Sequence, residues 1–164
     1  MITREQLADG MTRECDICLH LFSKLGPDAY DYRPSPNQRS TRELMAYLAA
    51  CGIGGIRALE HANWKLFGEE QSRTKDMAPS EFPAVMNRQK QEIQQFFAST
   101  SEKTLETQET RSPLGEALPL GVGILNMPFK WLAAYKLQLF LYAKANGAHD
   151  IGTANAWAGI DWKR

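Results

Sequence analysis

The chain has 164 residues, 43% of them hydrophobic and 23% charged, with a formal net charge of zero. A chain of this length buries roughly two thirds of its unfolded surface, enough for one domain with a proper core. The neutral balance, with no Lys/Arg run, argues against a nucleic-acid partner and against an anionic membrane surface. Lys or Gly breaks every apolar run well before the roughly 20 residues that a bilayer span needs, so no membrane role is expected. The charged stretch MITREQLADGMTRE does not read as a secretory signal. With no export signal, Cys15, Cys18 and Cys51 read as reduced thiols, and the cytoplasm is the expected compartment.

Four long helical patterns and no convincing strand follow along the chain. The first covers about residues 3–25, where Leu7, Met11, Cys18, Phe22 and Leu25 recur at three- and four-residue steps. Gly26-Pro27 ends it. After the loop YDYRPSPNQRS, Ser40 and Glu43 form a capping box that opens a second helix over about 40–67. Its stripe is Leu44, Tyr47, Leu48, Cys51, Gly55, Ala58, Ala62 and Leu66. Gly52, Gly54 and Gly55 cost about 1 kcal/mol each against Ala inside a helix; they make sense if another helix approaches closely there.

GEEQSRTKDMAPS reads as a polar connection. A third helix runs over about 81–98, with Ser80 as N-cap, Pro83 in the first turn, and a stripe of Phe82, Val85, Met86, Gln89, Ile93, Phe96 and Phe97. The segment from Ser99 to Gly121 reads as a long irregular loop, of a length that often carries contacts. The fourth helix covers about 121–146 and closes on Gly147. A tail with Trp157 and Trp162 is expected to pack down. The pattern is all-α, a four-helix bundle in a single domain over 1–164, and the long connections leave open up-down order or crossovers.

The inward faces carry polar groups, and bundle cores are where helical proteins build ligand and metal sites. On helical wheels Glu14 falls in the first stripe, Tyr47 in the second and Gln89 in the third. Trp131, Tyr135, Gln138 and Tyr142 line the fourth. These residues are compatible with one shared pocket. The plain reading stands ahead of it: Glu14 and Gln89 at stripe edges with their heads in water, and tyrosines in the core with satisfied hydroxyls. His20 and His61 lie opposite their stripes and His149 lies in the tail, so all read as surface residues. They make no metal spacing. Cys15 and Cys18 share the core face while His20 points away, which favours buried structural thiols over a zinc half-site. No Ser-His-Asp or Cys-His signature and no glycine-rich phosphate loop is present.

Three stretches in order carry a resemblance: YRP at Tyr32–Pro34, RSTRELMAYLA at Arg39–Ala49, and WLAAYKLQLFLYAKANG at Trp131–Gly147. Together with helix order and loop lengths, they resemble the DinB-like (YfiT-like) family across essentially the whole chain. The resemblance implies a four-helix bundle, often dimeric, with zinc or nickel on three histidines, and includes metal-dependent thiol transferases. Its second-helix histidine falls on Tyr47, and its two last-helix histidines fall on Trp131 and Tyr135. Gln138 matches its glutamine, Lys136 stands for its arginine, and Leu137 replaces its glycine. Indole offers no lone pair, and a neutral phenol with pKa near 10 is a poor zinc ligand. The expectation is therefore no metal and no cofactor.

Two functions remain in view. One is a metal-free binding or interaction protein with a candidate pocket of Glu14, Tyr47, Gln89, Trp131, Tyr135 and Gln138. A homodimer is expected, because the fourth helix is apolar on all sides and must be covered on all sides. The tail or the long loop is the other candidate for that cover. The alternative is an enzyme of the thiol transferase or hydrolase class, with Glu14 as base and the tyrosines as acids. It ranks second, since the chain shows no activated nucleophile. Metal held by Glu14 and a displaced His61 ranks third.

Overall fold

The computed structural model describes residues 3–162. Helix α1 spans Arg4–Phe22 and opens on a capping box in which Thr3 and Gln6 satisfy each other's backbone N–H. It ends three residues short of Leu25, where the Ser23 hydroxyl donates to the His20 carbonyl and a short 3-10 turn follows at Pro27–Ala29. Helix α2 spans Thr41–Glu60. Its capping box is the one the sequence announces: Glu43 N–H donates to the Ser40 hydroxyl at 3.3 Å, and Ser40 N–H donates to the Glu43 carboxylate at 2.8 Å.

The expected second helix is really two. The chain turns at Ala62, whose φ of 47° is left-handed, and Asn63 Oδ1 accepts the Lys65 N–H at 3.1 Å. Helix α3 then runs Lys65–Thr74. Leu66 therefore belongs to α3, and most of the supposed polar connection is helical. The signal is hidden because the inward face of α3 is polar, with Glu70 and Thr74 each 2% exposed.

Helix α4 spans Phe82–Ser99 and follows a 3-10 turn at Pro79–Glu81. Ser80 is not its cap; Ser80 lies inside that turn, and the Glu81 carboxylate accepts the Ala78 N–H at 2.7 Å. The segment expected to be irregular and without strands carries helix α5 at Glu102–Thr107 and a hairpin of β1 (Glu109–Arg111) and β2 (Ala117–Pro119). Thr110 pairs with Leu118 in this ladder. Strands of three residues leave no periodic signal, which is why the sequence hides them.

The last long helix is interrupted. Helix α6 spans Leu120–Ile124, a π-helical turn covers Leu125–Phe129, and α7 covers Lys130–Ala145. Pro128 sits in the π turn. Proline has no N–H to offer the ladder, and a widened turn absorbs that deficit. Gly147, with φ of 103°, ends the helix as expected. The tail forms α8 at Thr153–Trp157, packed against α1 and α7.

The four long helices α1, α2, α4 and α7 form the bundle. α1 packs on α4 and α7, and α2 packs on α4 and α7, so α1 and α2 lie on a diagonal. Contacts between residues fix the directions. Arg4 reaches Thr100 and Lys90 reaches Asp16, so α1 and α4 are antiparallel. Gln89 bonds Leu48 while Arg57 pairs with Glu92, so α2 and α4 are parallel. Gly55 faces Trp131 and Tyr47 faces Tyr135, so α2 and α7 are antiparallel. The order is up-down-down-up, and α3 is the return stroke that makes two parallel neighbours possible.

The glycines of α2 do mark close approach, from three sides. A methyl on Gly52 would stand 3.1 Å from both Ile93 of α4 and Leu132 of α7. On Gly54 it would meet Glu70 of α3 at 3.1 Å, and on Gly55 it would meet Pro128 at 2.8 Å. Cys15, Cys18 and Cys51 are fully buried in this core. Burial pushes the Cys15 thiol up to about 12 and raises those of Cys18 and Cys51, so none is poised as a thiolate. Among the described residues no helix is long and apolar enough to cross a membrane.

Candidate functional site

Antiparallel packing of α2 on α7 sets Tyr47 and Tyr135 edge to face, with ring centroids 4.7 Å apart. The bend at Ala62 brings α3 alongside and adds Trp64 and Phe67. Phe67 lies 5.3 Å from Trp131 and 6.3 Å from Tyr47, and Trp64 lies 6.1 Å from Trp131. The expected trio of Tyr47, Trp131 and Tyr135 therefore belongs to one half-buried aromatic cluster. Edge-to-face pairs of this kind add about 0.5–1.5 kcal/mol beyond area burial.

Arg39 closes the cluster. Its guanidinium carbon stands 4.2 Å from the Tyr47 centroid and 5.3 Å from that of Tyr135. Its backbone is held from α7: Gln138 Nε2 donates to the Tyr142 hydroxyl, which donates to the Arg39 carbonyl at 2.9 Å. Gln138 is thus brought to the site as a brace behind Arg39. Burial raises the Tyr47 phenol well above its ordinary value, and nearby Arg39 offsets this only in part.

A hollow of about 150 Å³ opens beside Tyr47, lined by Arg39, Glu43, Ala46, Gln71, Thr74 and Lys75. Glu43 is committed to Arg33 at 2.8 Å, and that bond holds its carboxyl below the usual range. Arg39, Lys75, Trp64 and Phe67 were not singled out from sequence. Arg39 sits just ahead of the Ser40 cap, and the other three lie in the stretch misread as helix end and polar connection.

Two of the expected pocket residues lie elsewhere. Gln89 is fully buried between α4 and α2. Its Oε1 accepts the N–H groups of Gly52 and Ile53 at 2.9 and 3.1 Å, and its Nε2 donates to the Leu48 carbonyl at 2.9 Å. That amide is fully occupied with the backbone of α2. Glu14 lies on the α1–α7 seam, with its Oε2 2.7 Å from Lys136 Nζ; this is an ion pair, without hydrogen-bond alignment. Both side chains are under a fifth exposed, at 16% and 11%. Neither Gln89 nor Glu14 forms a hydrogen bond or ion pair with a residue of the aromatic cluster.

The histidines are scattered. His61 and His149 are exposed as expected. His20 is tucked under the tail, its side chain 16% exposed, with Nε2 3.0 Å from the amide of Asn155. The surface reading of His20 is therefore corrected; a helix wheel does not show what the tail will cover. Among the described residues no group of three His, Cys, Asp or Glu side chains is placed to hold a metal ion. An indole and two phenols do not fit a three-histidine metal site, one phenol being held further from ionisation.

No protein-family model matches the sequence, and no curated protein matches it. Among solved structures, the fold is similar to that of a DinB-like protein, YjoA, from Bacillus subtilis. The TM-score is 0.69 at 15% identity, over 87% of this chain and 92% of that one. At that identity the likeness speaks for architecture alone: the chain is an all-α four-helix bundle with the DinB-like fold.

Proposed function

We propose that this chain is a metal-free binding protein that works as a homodimer, with small-ligand recognition at the hollow beside Tyr47 in place of metal chemistry. The observation that carries the reading is the stack of Arg39 on Tyr47 and Tyr135, at 4.2 and 5.3 Å. It puts a permanent cation against two of the three rings that stand where the resemblance implies histidines. A cation held there repels a second one, and the rings supply no lone pair strong enough to compete with water. The enzymatic alternative has less support, because its base, Glu14, is engaged by Lys136 on a different helix seam.

Homodimerisation draws support from α7. Leu137 and Leu141 remain 50% and 55% exposed after the tail and the α5–hairpin segment have packed. The intramolecular cover weighed from sequence thus leaves this stripe open.

Elemental analysis of protein purified without a polyhistidine tag tests the metal-free reading. The expected result is zinc and nickel far below one equivalent, with a melting temperature that neither added metal nor EDTA moves. One equivalent of either metal, lost together with stability on chelation, overturns it.

A further inference from the structure

We propose that the hollow beside Tyr47 is a site for a small oxyanion, a carboxylate or phosphate group, held by Arg39 and Lys75. The proposal rests on the metal-free reading and names the ligand class of that same site.

Charge around the hollow is unbalanced. Arg39 is half-buried and stacked on rings, and among the described residues its guanidinium has no carboxylate partner and no hydrogen-bond acceptor. The other arginines in this neighbourhood are matched: Arg33 with Glu43, Arg42 with Asp31, Arg57 with Glu70. Lys75, also in the lining, likewise has no ion pair among the described residues. The one carboxylate in the lining, Glu43, is neutralised by Arg33 at 2.8 Å. The wall therefore carries two uncancelled positive charges and no free negative one.

Geometry adds to charge. The Arg39 guanidinium lies over the Tyr47 ring at 4.2 Å, a contact that uses none of its N–H donors, and a planar fork of such donors matches an oxyanion. The brace from Gln138 through Tyr142 to the Arg39 carbonyl fixes the base of that fork before any ligand arrives. Tyr47 lines the same hollow, and its hydroxyl has no protein acceptor among the described residues. A volume of about 150 Å³ admits an oxyanion headgroup with little else, so the body of a larger ligand would lie outside, along α3.

The test is calorimetric titration of the full chain with inorganic phosphate and, separately, with acetate. Ionic strength is held constant with chloride, and each titration is run before and after dialysis against EDTA. Saturable binding of one anion near one equivalent, unchanged by EDTA, is expected; which anion binds tells phosphate from carboxylate. Arg39→Gln and Lys75→Gln should each weaken it about tenfold or more, the loss of one charge-assisted hydrogen bond. Lys103→Gln, on α5, should leave it unchanged. Lys75 is exposed, so its variant keeps the fold even if Arg39→Gln does not. No saturable binding of either anion by metal-free protein, or equal binding by both hollow variants, overturns the oxyanion site and leaves the metal-free reading standing. Binding that EDTA abolishes places the anion on a metal and overturns both.

Discussion

Arg57 Nη1 lies 2.7 Å from Oε2 of Glu70, a carboxylate whose side chain is 2% exposed. Arg73 and Arg88 reach the same carboxylate at 3.1 and 3.2 Å. One buried anion on α3 is thus gripped from α2, from α4 and from its own helix. This clasp holds α3, and with it Phe67 and Trp64, against the bundle. A buried carboxylate is tolerated only when its oxygens are satisfied, and here each meets at least one guanidinium. Removing the acid lets the arginines rehydrate but loses the clasp, so Glu70→Ala should cost about 2–3 kcal/mol in urea denaturation. Arg73→Ala, at a side chain 62% exposed, should cost about 0–1 kcal/mol. Equal midpoints for the two variants would mean that α3 is held by its apolar contacts alone.

The glycines of the bundle make a paired prediction. Replacing a helical glycine by alanine gains about 1 kcal/mol of helix propensity where nothing is in the way. At Gly68, on α3, nothing lies within 4 Å of the added methyl. Gly68→Ala should therefore raise stability by about 0.5–1 kcal/mol. At Gly55 the methyl would stand 2.8 Å from Pro128 Cβ and 3.2 Å from the Trp131 ring. A proline ring in a π-helical turn cannot step aside as a flexible side chain would. Gly55→Ala should lower stability by about 1–3 kcal/mol in spite of the propensity gain. Thermal melts of the two variants beside the parent protein decide it.

His20 gives the fold a pH dependence with a defined sign. Burial under the tail lowers its pKa below the ordinary 6.5, helped by Lys24; Asp161 pulls the other way. Asn155 presents its NH₂ group to His20 Nε2, so that nitrogen accepts and the ring is neutral. The Asn155 carbonyl is already taken by Gly152 N–H at 2.7 Å, so the amide cannot flip at no cost to receive a proton from the ring. The unfolded chain then binds a proton before the folded one does. Stability is complete above pH about 6.5 and declines as the pH falls toward the folded pKa. His20→Gln should flatten the melting temperature between pH about 7 and 5.5 relative to the parent protein. An identical slope in the variant would remove His20 as the cause.

The sequence announces what short-range chemistry controls. The capping box of Ser40 and Glu43, the stop at Gly147 and the apolar stripes of four helices could all be read directly. So could the pairing of Trp131 with Tyr135, because residues one helical turn apart stay together wherever the helix goes, whereas Tyr47 joins them from another helix, a meeting that only the family resemblance implied. What stayed hidden depends on partners far along the chain. Gln89 reads as a pocket residue until α2 is seen to present Gly52 and Ile53 N–H groups to it. Glu14 reads as a core carboxylate until Lys136 arrives from α7. Helix α3 was invisible because its buried face is an acid and a hydroxyl, matched by arginines up to 18 residues away. Arg39 was invisible because its meaning lies in having no such match.

The last prediction concerns the outer face of α7. Leu137 and Leu141 are one turn apart and point to solvent, flanked by Ala134, also exposed, and by Phe140, half-buried. The small residue at 134 lets a second helix come close, and burying the exposed half of each leucine is worth about 1 kcal/mol. In a two-fold interface every contact occurs twice, so two leucines per protomer act as four. A charge placed there is likewise doubled and faces a copy of itself. Leu137→Glu and Leu141→Glu should each convert the proposed dimer to monomer in light scattering at micromolar concentration. Neither should disturb the monomer's own fold, because these side chains lie outside the core, so the helical circular dichroism spectrum should be unchanged. A parent protein that already runs as a single monomer under those conditions removes the dimer and leaves the apolar stripe without a partner of its own kind.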